Sequence, residues 1–211
     1  DAAAEAGITF IDTADAYPLG APFGTYGGTE EIIGRWLQGK RDDFVLATKC
    51  WAPTGSRPWH QGNSRHNIIR ALDNSLKRLQ TDYVDLFQAH RYDVETPLEE
   101  TMQAFADIVR QGKALYIGVS EWNAKQISEG HALAKQMGFQ LISNQPQYNM
   151  LWRVIEAEIV PTSIDLGVSQ IVWSPMAQGI LTGKYLPGQP APKDSRGADE
   201  KAGAFMKDWL N

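Results

Sequence analysis

Short apolar runs alternate with longer segments of helical periodicity along the whole chain. The apolar runs are residues 7–13, 44–49, 84–90, 114–120, 141–145 and 169–174. Strands that alternate with helices are typical of repeated βα units around a parallel sheet. The runs are apolar at successive positions instead of alternating with polar ones, which indicates strands covered on both faces. A closed barrel is therefore favoured over an open sheet.

Helices are predicted between these strands from apolar spacing. A helix from Thr29 would pack apolar positions 32, 33, 36 and 37, and a helix from Ser64 would place positions 68, 72, 76 and 79 on one face. Pro161 interrupts the segment from Val154, which predicts a kink or two short helices there.

The clearest helix signals lie between residues 96 and 112. Thr96, Pro97 and Glu99 read as a capping box with proline at the first helical position, and Gly112 would end the helix. The apolar residues between these ends follow 4, 3, 4 spacing.

Chain length bounds the architecture. A complete eight-stranded barrel usually takes about 250 residues, and at about 30 residues per βα unit this chain of 211 residues accounts for six strands. We therefore predict a (β/α)8 TIM barrel that lacks the first strand and the last strand and helix units. It would be one domain over residues 1–211, incomplete at both ends, and the natural protein would be longer. The rival open doubly wound sheet usually carries a Gly-x-Gly-x-x-Gly turn, which this sequence lacks.

Polar residues stand where the predicted strands end. Asp12, Lys49 and His90 end three successive strands, and Tyr17 follows Asp12 by five residues, so all four are expected at the C-terminal rim of the barrel. The Lys49 ammonium would lower the pKa of Tyr17, and the Asp12 carboxylate would pair with that ammonium. His90 would donate a hydrogen bond to a substrate oxygen. This set favours hydride addition to a carbonyl with Tyr17 as general acid.

Each residue also has a plainer interpretation. Asp12 could cap a turn, Lys49 could be a solvated charge at a strand end, and Tyr17 could be a half-buried packing residue. His90 and Arg91 could form an ordinary surface pair. A different chemistry would make Lys49 the Schiff-base nucleophile of an aldolase. No metal site is predicted, because His90 is the only histidine at a strand end.

Charge and composition exclude several classes of partner. The net charge is −5 and the basic residues are scattered, which argues against nucleic acid as a partner. No apolar run approaches the roughly 18 residues that a membrane span needs. Cys50 is the single cysteine, so an internal disulfide is impossible and a reducing cytoplasm is the expected location. We expect a small-molecule substrate and no membrane partner, and leave homo-oligomer formation open.

Six segments resemble the aldo-keto reductase family, particularly its branch that includes the potassium-channel beta subunits. They are FIDTADAY, ATKCW, DLFQAH, GVSEW, NQPQYN and WSPMAQGILTGKY, in the family's order and spacing. The resemblance implies a (β/α)8 barrel, a nicotinamide cofactor bound without a Rossmann domain, and a catalytic tetrad matched by Asp12, Tyr17, Lys49 and His90. The implied cofactor is NADP(H), with NAD(H) as the alternative, and the implied activity is the reduction of aldehydes or ketones. We associate Asn with the third strand end in the channel subunits, so His90 favours a working reductase over a cofactor-binding regulatory beta-type subunit with little turnover.

The resemblance also implies roles for later residues in cofactor binding. Asp12 counts among them, Ser120 and Gln145 would hydrogen-bond the nicotinamide carboxamide, and Trp173 would stack against the nicotinamide ring. The residues implied to follow the pyrophosphate and ribose are Ser174, Pro175, Met176, Ala177, Gln178 and Lys184. Arg196 resembles an arginine that holds the adenine end.

Three further residues concern the substrate pocket and its limits. Trp51 and Tyr92 would wall a pocket for an apolar or aromatic carbonyl substrate. Glu121 stands where many relatives have a hydrogen-bond donor. Because a carboxylate cannot donate, Glu121 is left out of the predicted site.

Overall fold

The computed structural model describes residues 1–20, 22, 24–186, 188–199, 203 and 206. Within them, six parallel strands form one sheet in the order of the sequence, with a helix outside the sheet after each of the first five strands. The strands are β1 (Phe10–Asp12), β2 (Val45–Cys50), β3 (Val84–Ala89), β4 (Ala114–Ser120), β5 (Leu141–Gln145) and β6 (Ser169–Gln170). The α-helices are α1 (Ala2–Glu5), α2 (Gly28–Trp36), α3 (Arg65–Leu79), α4 (Leu98–Arg110), α5 (Ala124–Gln136) and α6 (Ile159–Leu166).

This curled parallel sheet with alternating helices is part of a (β/α)8 barrel, as predicted. Sequential strands pair in register, and Asp12 lies opposite Ala47, Lys49 opposite Gln88, and Ser120 opposite Gln145. The register brings the carboxyl ends of the strands to one rim. The extent of the domain, residues 1–211 and incomplete at both ends, stays a prediction.

The hydrophobic core lies between the outer face of the sheet and helices α3, α4 and α5. Phe87 of β3 packs edge-on against Phe105 of α4, with ring centroids 6.3 Å apart. Leu72 of α3 and Trp122 at the start of the β4–α5 loop are equally buried. Each large apolar side chain buried in this layer contributes about 1.5–3 kcal/mol, and the layer fixes the strands that carry the site.

Strands β2 to β5 agree with the predicted ranges, whereas β1 and β6 are shorter than predicted. Residues 7–9 serve mainly to end α1, because Gly7 has φ 83° and its N–H donates to the Ala4 carbonyl. Sheet-type hydrogen bonds nevertheless flank β1, from the Val45 N–H to the Thr9 carbonyl and from the Thr13 N–H to the Ala47 carbonyl.

At the other edge, β6 has regular pairing only at Ser169–Gln170, although residues 169–174 were predicted. Pro146 follows β5 and has no N–H to donate, so the ladder between the two strands breaks there. Contact continues irregularly, since the Trp173 N–H donates to the Pro146 carbonyl at 3.0 Å and Gln147 forms an isolated parallel bridge with Trp173.

Helix α3 is confirmed in its start and its buried face. The Ser64 side chain accepts a hydrogen bond from the Asn67 N–H at the N-terminus. The predicted apolar face is buried: Ile68, Leu72, Leu76 and Leu79. The segment containing Pro161 forms two short helices as predicted, a 3-10 helix at Val154–Glu156 and then α6. Pro161 does not separate them, because it lies in the first turn of α6, where its missing N–H breaks no helical hydrogen bond.

The capping box predicted for α4 is wrong. The helix begins at Leu98 with Pro97 as its N-cap, and no side chain caps it. The Thr96 hydroxyl instead donates to the Asp93 carboxylate at 2.7 Å. The predicted end is confirmed, because Gly112 has φ 69° immediately after the helix. A true capping box forms at Asn123, the N-cap of α5.

Helix α2 packs differently from the prediction. Ile32 is 62% exposed, Ile33 and Trp36 are half-buried, and only Leu37 of the predicted set is buried. Gly34 faces α3 so closely that a Cβ there would lie 2.3 Å from the Arg78 carbonyl oxygen. The close approach puts Glu30 in the interface, where it accepts hydrogen bonds from Thr48 at 2.6 Å and from Arg78 at 2.7 Å.

Candidate active site

The strand ends bring the predicted tetrad together at the carboxyl rim. Asp12 is the last residue of β1, Lys49 lies at the end of β2, and His90 follows β3, where its N–H donates to the Cys50 carbonyl at 2.9 Å. Tyr17 lies on the loop after β1, with its N–H bonded to the Ala14 carbonyl and its carbonyl bonded to the Thr29 N–H. The rim therefore joins a carboxylate, an ammonium, an imidazole and a phenol.

Lys49 and Asp12 form a tight ion pair. Lys49 Nζ donates to Asp12 Oδ2 at 2.6 Å and to the Thr13 carbonyl at 2.7 Å. The Lys49 side chain is fully buried, whereas that of Asp12 is 29% exposed. Burial lowers the pKa of Lys49, and the Asp12 carboxylate opposes that shift. The predicted pairing of the Lys49 ammonium with the Asp12 carboxylate is thus present in the structure.

Tyr17 lies within reach of the ammonium, but its pKa moves in the opposite direction to the prediction. Lys49 Nζ is 5.4 Å from the centroid of the Tyr17 ring. Burial raises the pKa of Tyr17, the Asp12 carboxylate raises it further, and the Arg91 guanidinium opposes them. The expected lowering is wrong because desolvation of the phenolate, together with the Asp12 carboxylate, outweighs the Arg91 guanidinium.

His90 stands beside the phenol as a neutral imidazole. Its ring meets the Tyr17 ring edge-on, with centroids 5.8 Å apart and planes inclined by 76°. Burial, reinforced by the Lys49 and Arg91 cations, lowers the pKa of His90 to about 3. Its Nδ1 atom is buried and has no hydrogen-bond partner in the described part of the chain. A neutral imidazole has one N–H to donate and one nitrogen lone pair to accept.

Two residues of the rim were missed by sequence reasoning. Gln88 is fully buried and its Nε2 donates to Asp12 Oδ1 at 3.2 Å. Arg91, considered only as part of a surface pair, lines the same pocket as Tyr17. The position of Gln88 one residue before the end of β3 was the available signal, since alternate residues of a strand face the barrel interior. Nothing in the local sequence distinguishes Arg91 from an exposed arginine.

Asp12, Tyr17 and His90 of the tetrad line a pocket of about 280 Å³, and the buried Lys49 lies behind them. Its lining residues come from the loop after β1, the ends of β3, β4 and β5, and the chain after β6: Asp12, Tyr17, Leu19, His90, Arg91, Ser120, Gln145, Trp173, Gln178 and Arg196. Five residues predicted to bind the cofactor besides Asp12 therefore share the pocket with Tyr17. Arg196, predicted at the adenine end, lies in this pocket and not apart from it.

The polar groups of Ser120 and Gln145 are partly engaged. The Ser120 hydroxyl donates to the Gln145 carbonyl at 2.8 Å and accepts a 3.4 Å hydrogen bond from Arg91. Arg91 also donates to the His90 carbonyl at 2.7 Å. In the part of the chain that the structure describes, Arg91 forms no ion pair with a carboxylate within 4.0 Å.

The remaining predicted cofactor residues lie along an irregular turn after β6. The Ser174 hydroxyl accepts a hydrogen bond from Gln178 at 2.6 Å, and Ser174, Ala177 and Gln178 all have positive φ. Met176 is 49% exposed and Ala177 is buried. Pro175 lines a different cavity, of about 400 Å³, and the exposed Lys184 has its Nζ 5.4 Å from the Tyr185 ring centroid.

Trp51 and Tyr92 lie in a separate cavity at the same rim. This cavity of about 550 Å³ includes Trp59 and shares no lining residue with the pocket of Tyr17. Tyr92 packs edge-on against Trp122 with ring centroids 5.0 Å apart. The structure therefore does not bring the two predicted substrate-pocket residues to the walls of the Tyr17 pocket, although His90 and Arg91 of the same segment after β3 do line it.

Glu121, left out of the predicted site, contacts one of its residues. Its Oε1 accepts hydrogen bonds from the Trp173 indole Nε1 and from the Gln147 backbone N–H, each at 2.6 Å. A carboxylate at this position acts as an acceptor for the protein's own donors. The spacing of 52 residues between Glu121 and Trp173 leaves no local signal of this contact.

The described residues contain no cluster of three or more His, Cys, Asp or Glu side chains able to hold a metal ion. They also include no helix of the length and apolarity that crossing a membrane requires.

Comparison with known proteins identifies the family. The family profile described as Aldo/keto reductase family matches residues 1–210. Similar proteins include a "Probable voltage-gated potassium channel subunit beta" of Oryza sativa subsp. japonica, 41% identical over 202 residues, which are 93% of this chain and 58% of the relative. An "L-glyceraldehyde 3-phosphate reductase" of Escherichia coli (strain K12) is 40% identical over 195 residues, 90% of this chain and 54% of the relative.

A third relative is the "Uncharacterized oxidoreductase YrpG" of Bacillus subtilis (strain 168), 40% identical over 208 residues, 94% of this chain and 63% of the relative. The chain thus spans between about half and two thirds of the length of these curated relatives. The predicted resemblance is confirmed by a profile match that extends over nearly every residue. The chain belongs to the aldo/keto reductase family.

Proposed function

We propose that this protein is an NADP(H)-dependent oxidoreductase that reduces aldehydes or ketones to alcohols. One observation carries the proposal: the Lys49 ammonium bonds the Asp12 carboxylate at 2.6 Å and stands 5.4 Å from the Tyr17 ring. His90 closes the same pocket from the neighbouring strand end. NAD(H) stays the alternative cofactor.

The lining of the Tyr17 pocket fits the nicotinamide end of such a cofactor. The Trp173 indole offers a flat apolar face, and Gln145 offers an amide that can both donate and accept. Arg91 and Arg196 add positive charge suited to phosphate. A volume of about 280 Å³ suits a ring-sized group, since whole drug-sized ligands occupy roughly 300–1,000 Å³. A bound nicotinamide cofactor would supply the hydride.

The residues of the chain then have distinct tasks. His90, uncharged at neutral pH because its pKa is about 3, donates a hydrogen bond to the carbonyl oxygen without releasing its proton. Tyr17 transfers its phenolic proton to that oxygen as negative charge develops there. The raised pKa of Tyr17 keeps the phenol protonated near neutral pH, which reduction requires. Lys49 stabilises the phenolate that remains, and Asp12 keeps the buried ammonium charged.

The test compares Tyr17→Phe with a matched control. Purified protein is mixed with NADPH or NADH and 4-nitrobenzaldehyde, and the loss of reduced cofactor is followed by absorbance. Tyr17→Phe should lower kcat by about 10²–10⁴-fold and leave the cofactor affinity unchanged in calorimetry. Tyr116→Phe alters an exposed tyrosine on β4 and should leave kcat unchanged. Full turnover by Tyr17→Phe would remove that residue from the mechanism.

The similarity to channel beta subunits supports a second candidate, a cofactor-binding regulatory subunit with little turnover. Both functions require the pocket of Tyr17, so they differ only in catalysis. Tight cofactor binding with negligible reduction across a panel of aldehydes and ketones would favour the regulatory subunit. His90 at the third strand end supports the reductase.

The lowered pKa of Lys49 also suits a Schiff-base nucleophile, as in an aldolase. The 2.6 Å bond to Asp12 holds the amine as an ammonium, which is not nucleophilic. Borohydride reduction in the presence of substrate, followed by mass spectrometry, separates the two reactions: an adduct on Lys49 would favour the aldolase.

A cytoplasmic location and homo-oligomer formation stay predictions.

A further inference from the structure

Glu121 joins three segments of the rim through one carboxylate. It follows directly after β4 with φ 57°, in the left-handed region that few residues other than glycine adopt. Its Oε1 accepts the indole N–H of Trp173 and the backbone N–H of Gln147, both at 2.6 Å. Within the described residues no Lys, Arg or His forms an ion pair with Glu121. Its charge is therefore met by these two donors.

The regular hydrogen-bonded pairing of the sheet does not extend to Trp173, so other contacts must orient its side chain. Regular pairing in β6 ends at Gln170, three residues earlier. The backbone N–H of Trp173 bonds to the Pro146 carbonyl at 3.0 Å, and its carbonyl accepts a long 3.4 Å hydrogen bond from Tyr148. These bonds place the Trp173 backbone on the loop after β5. These backbone bonds do not set the side-chain rotamer of Trp173, whose indole is half-buried.

Glu121 fixes that choice. The hydrogen bond to Nε1 holds the far edge of the indole, and a second hydrogen bond from the same oxygen holds the Gln147 amide, which forms a bridge with Trp173. A charge-assisted bond of this length is shorter and stronger than a neutral one. The indole plane is thereby set where it forms a wall of the pocket that contains Tyr17 and His90.

We infer that Glu121 is a positioning residue for cofactor binding, because its carboxylate holds the Trp173 indole in the plane against which the nicotinamide ring stacks. This inference rests on the proposed function, which assigns the Tyr17 pocket to a nicotinamide cofactor. A purely structural role for Glu121 would instead confine its effect to the loop after β5. The two roles differ in whether the effect of Glu121 on cofactor binding passes through Trp173.

The first measurement tests the contact itself and needs no cofactor. In protein labelled with 15N-tryptophan, the indole N–H resonance of Trp173 is identified by its absence in Trp173→Phe. Glu121→Ala should move this resonance upfield and speed its exchange with solvent, because the carboxylate acceptor is lost. Glu121→Gln keeps an acceptor oxygen and should give an intermediate position. An unmoved resonance in Glu121→Ala would overturn the inference.

The second measurement is the affinity for NADPH, NADP⁺ and NADH by calorimetry. Loss of a partly exposed charge-assisted hydrogen bond should weaken binding by about fivefold to tenfold in Glu121→Ala, and less in Glu121→Gln. In the Trp173→Phe background, which has no indole N–H, Glu121→Ala should change the affinity less than about twofold. Glu129→Ala is the matched control, since this exposed glutamate of α5 pairs with Lys125 at 3.7 Å and with no other cation among the described residues.

The outcomes separate the inference from the proposed function. If the indole resonance moves in Glu121→Ala but the cofactor affinity stays within about twofold of the wild-type value, the positioning role alone is overturned. Additive effects of Glu121→Ala and Trp173→Phe would overturn it as well. Failure of the wild-type protein to bind either NADPH or NADH would refute the proposed function and the positioning role together.

Discussion

The Lys49–Asp12 pair predicts an unequal cost for removing its two members. The Lys49 side chain is fully buried, whereas that of Asp12 is 29% exposed and also accepts a 3.2 Å hydrogen bond from Gln88. Asp12→Asn leaves a desolvated ammonium without its anionic partner and with neutral acceptors such as the Thr13 carbonyl. Lys49→Met leaves a carboxylate that water can reach. Removing one member of a buried pair typically costs about 3–5 kcal/mol, and we expect that cost for Asp12→Asn.

Lys49→Met should cost less, about 1–2 kcal/mol, because solvent offsets part of the lost attraction. The double variant Asp12→Asn/Lys49→Met should be more stable than Asp12→Asn alone, since no unpaired charge remains. The free energy of unfolding is measured at neutral pH by urea titration with tryptophan fluorescence. Lys113→Met is the control, because its pair with Asp73 is partly exposed on both sides and should change stability by less than about 1 kcal/mol.

The pH dependence gives an independent check. The folded-state pKa of Lys49 is lowered from its usual 10.5, so the native state binds fewer protons than the unfolded state. Its stability contribution is fully present above the unfolded value and is lost as pH falls towards the folded pKa. Asp12→Asn removes the group that raises this pKa, so its stability deficit should shrink as pH rises towards the usual lysine pKa of 10.5. If Lys49→Met lowers the free energy of unfolding as much as Asp12→Asn does, the different burial of the two side chains does not determine the cost of removing them.

Three further predictions concern charges near the rim. The imidazole of His90 has a pKa of about 3 and should show no NMR titration between about pH 8 and 5; a midpoint near the ordinary histidine value would contradict its burial. The stability that the neutral imidazole contributes should be lost only as pH falls below about 6.5. Burial and the neighbouring Glu30 raise the pKa of Asp15 to about 8, so its contribution to stability is lost as pH rises from about 4 to 8. Asp15→Asn should therefore flatten the pH dependence of the free energy of unfolding, measured in urea, over that range; an unchanged slope would contradict the raised pKa. Arg91→Met should raise the pKa of Tyr17, because the guanidinium lowers it; the pH profile of alcohol oxidation should move to higher pH, and an unmoved profile would show that Arg91 does not act on the phenol.

The sequence was sufficient to predict the repeated βα units and the convergence of the tetrad. Apolar runs and helical spacing are local properties, so strands β2 to β5 and the buried face of α3 follow from the chain itself. Once the strands are parallel and sequential, their carboxyl ends share one rim, and Asp12, Lys49 and His90 meet there. The same reasoning predicted the Lys49–Asp12 pair, because a buried ammonium requires an anion.

Local signals failed where two structures compete for the same group. The Thr96 hydroxyl donates to the Asp93 carboxylate of the loop after β3 instead of accepting a hydrogen bond from a backbone N–H at the start of α4. Strand β6 ends early because Pro146, on the neighbouring segment, cannot donate to the ladder. Neither outcome can be read from the local sequence of α4 or of β6.

The pKa directions and the walls of the pocket were decided by the tertiary structure. Residue identities predicted that Lys49 would lower the pKa of Tyr17, but burial depends on every element around the phenol and it prevails. Loop paths placed Arg91 beside Tyr17 and put Trp51 in another cavity. The contact between Glu121 and Trp173 spans 52 residues and exists only through the curvature of the sheet. Periodicity encodes which elements form and which faces they bury, whereas desolvation and long-range contacts arise only when those elements pack.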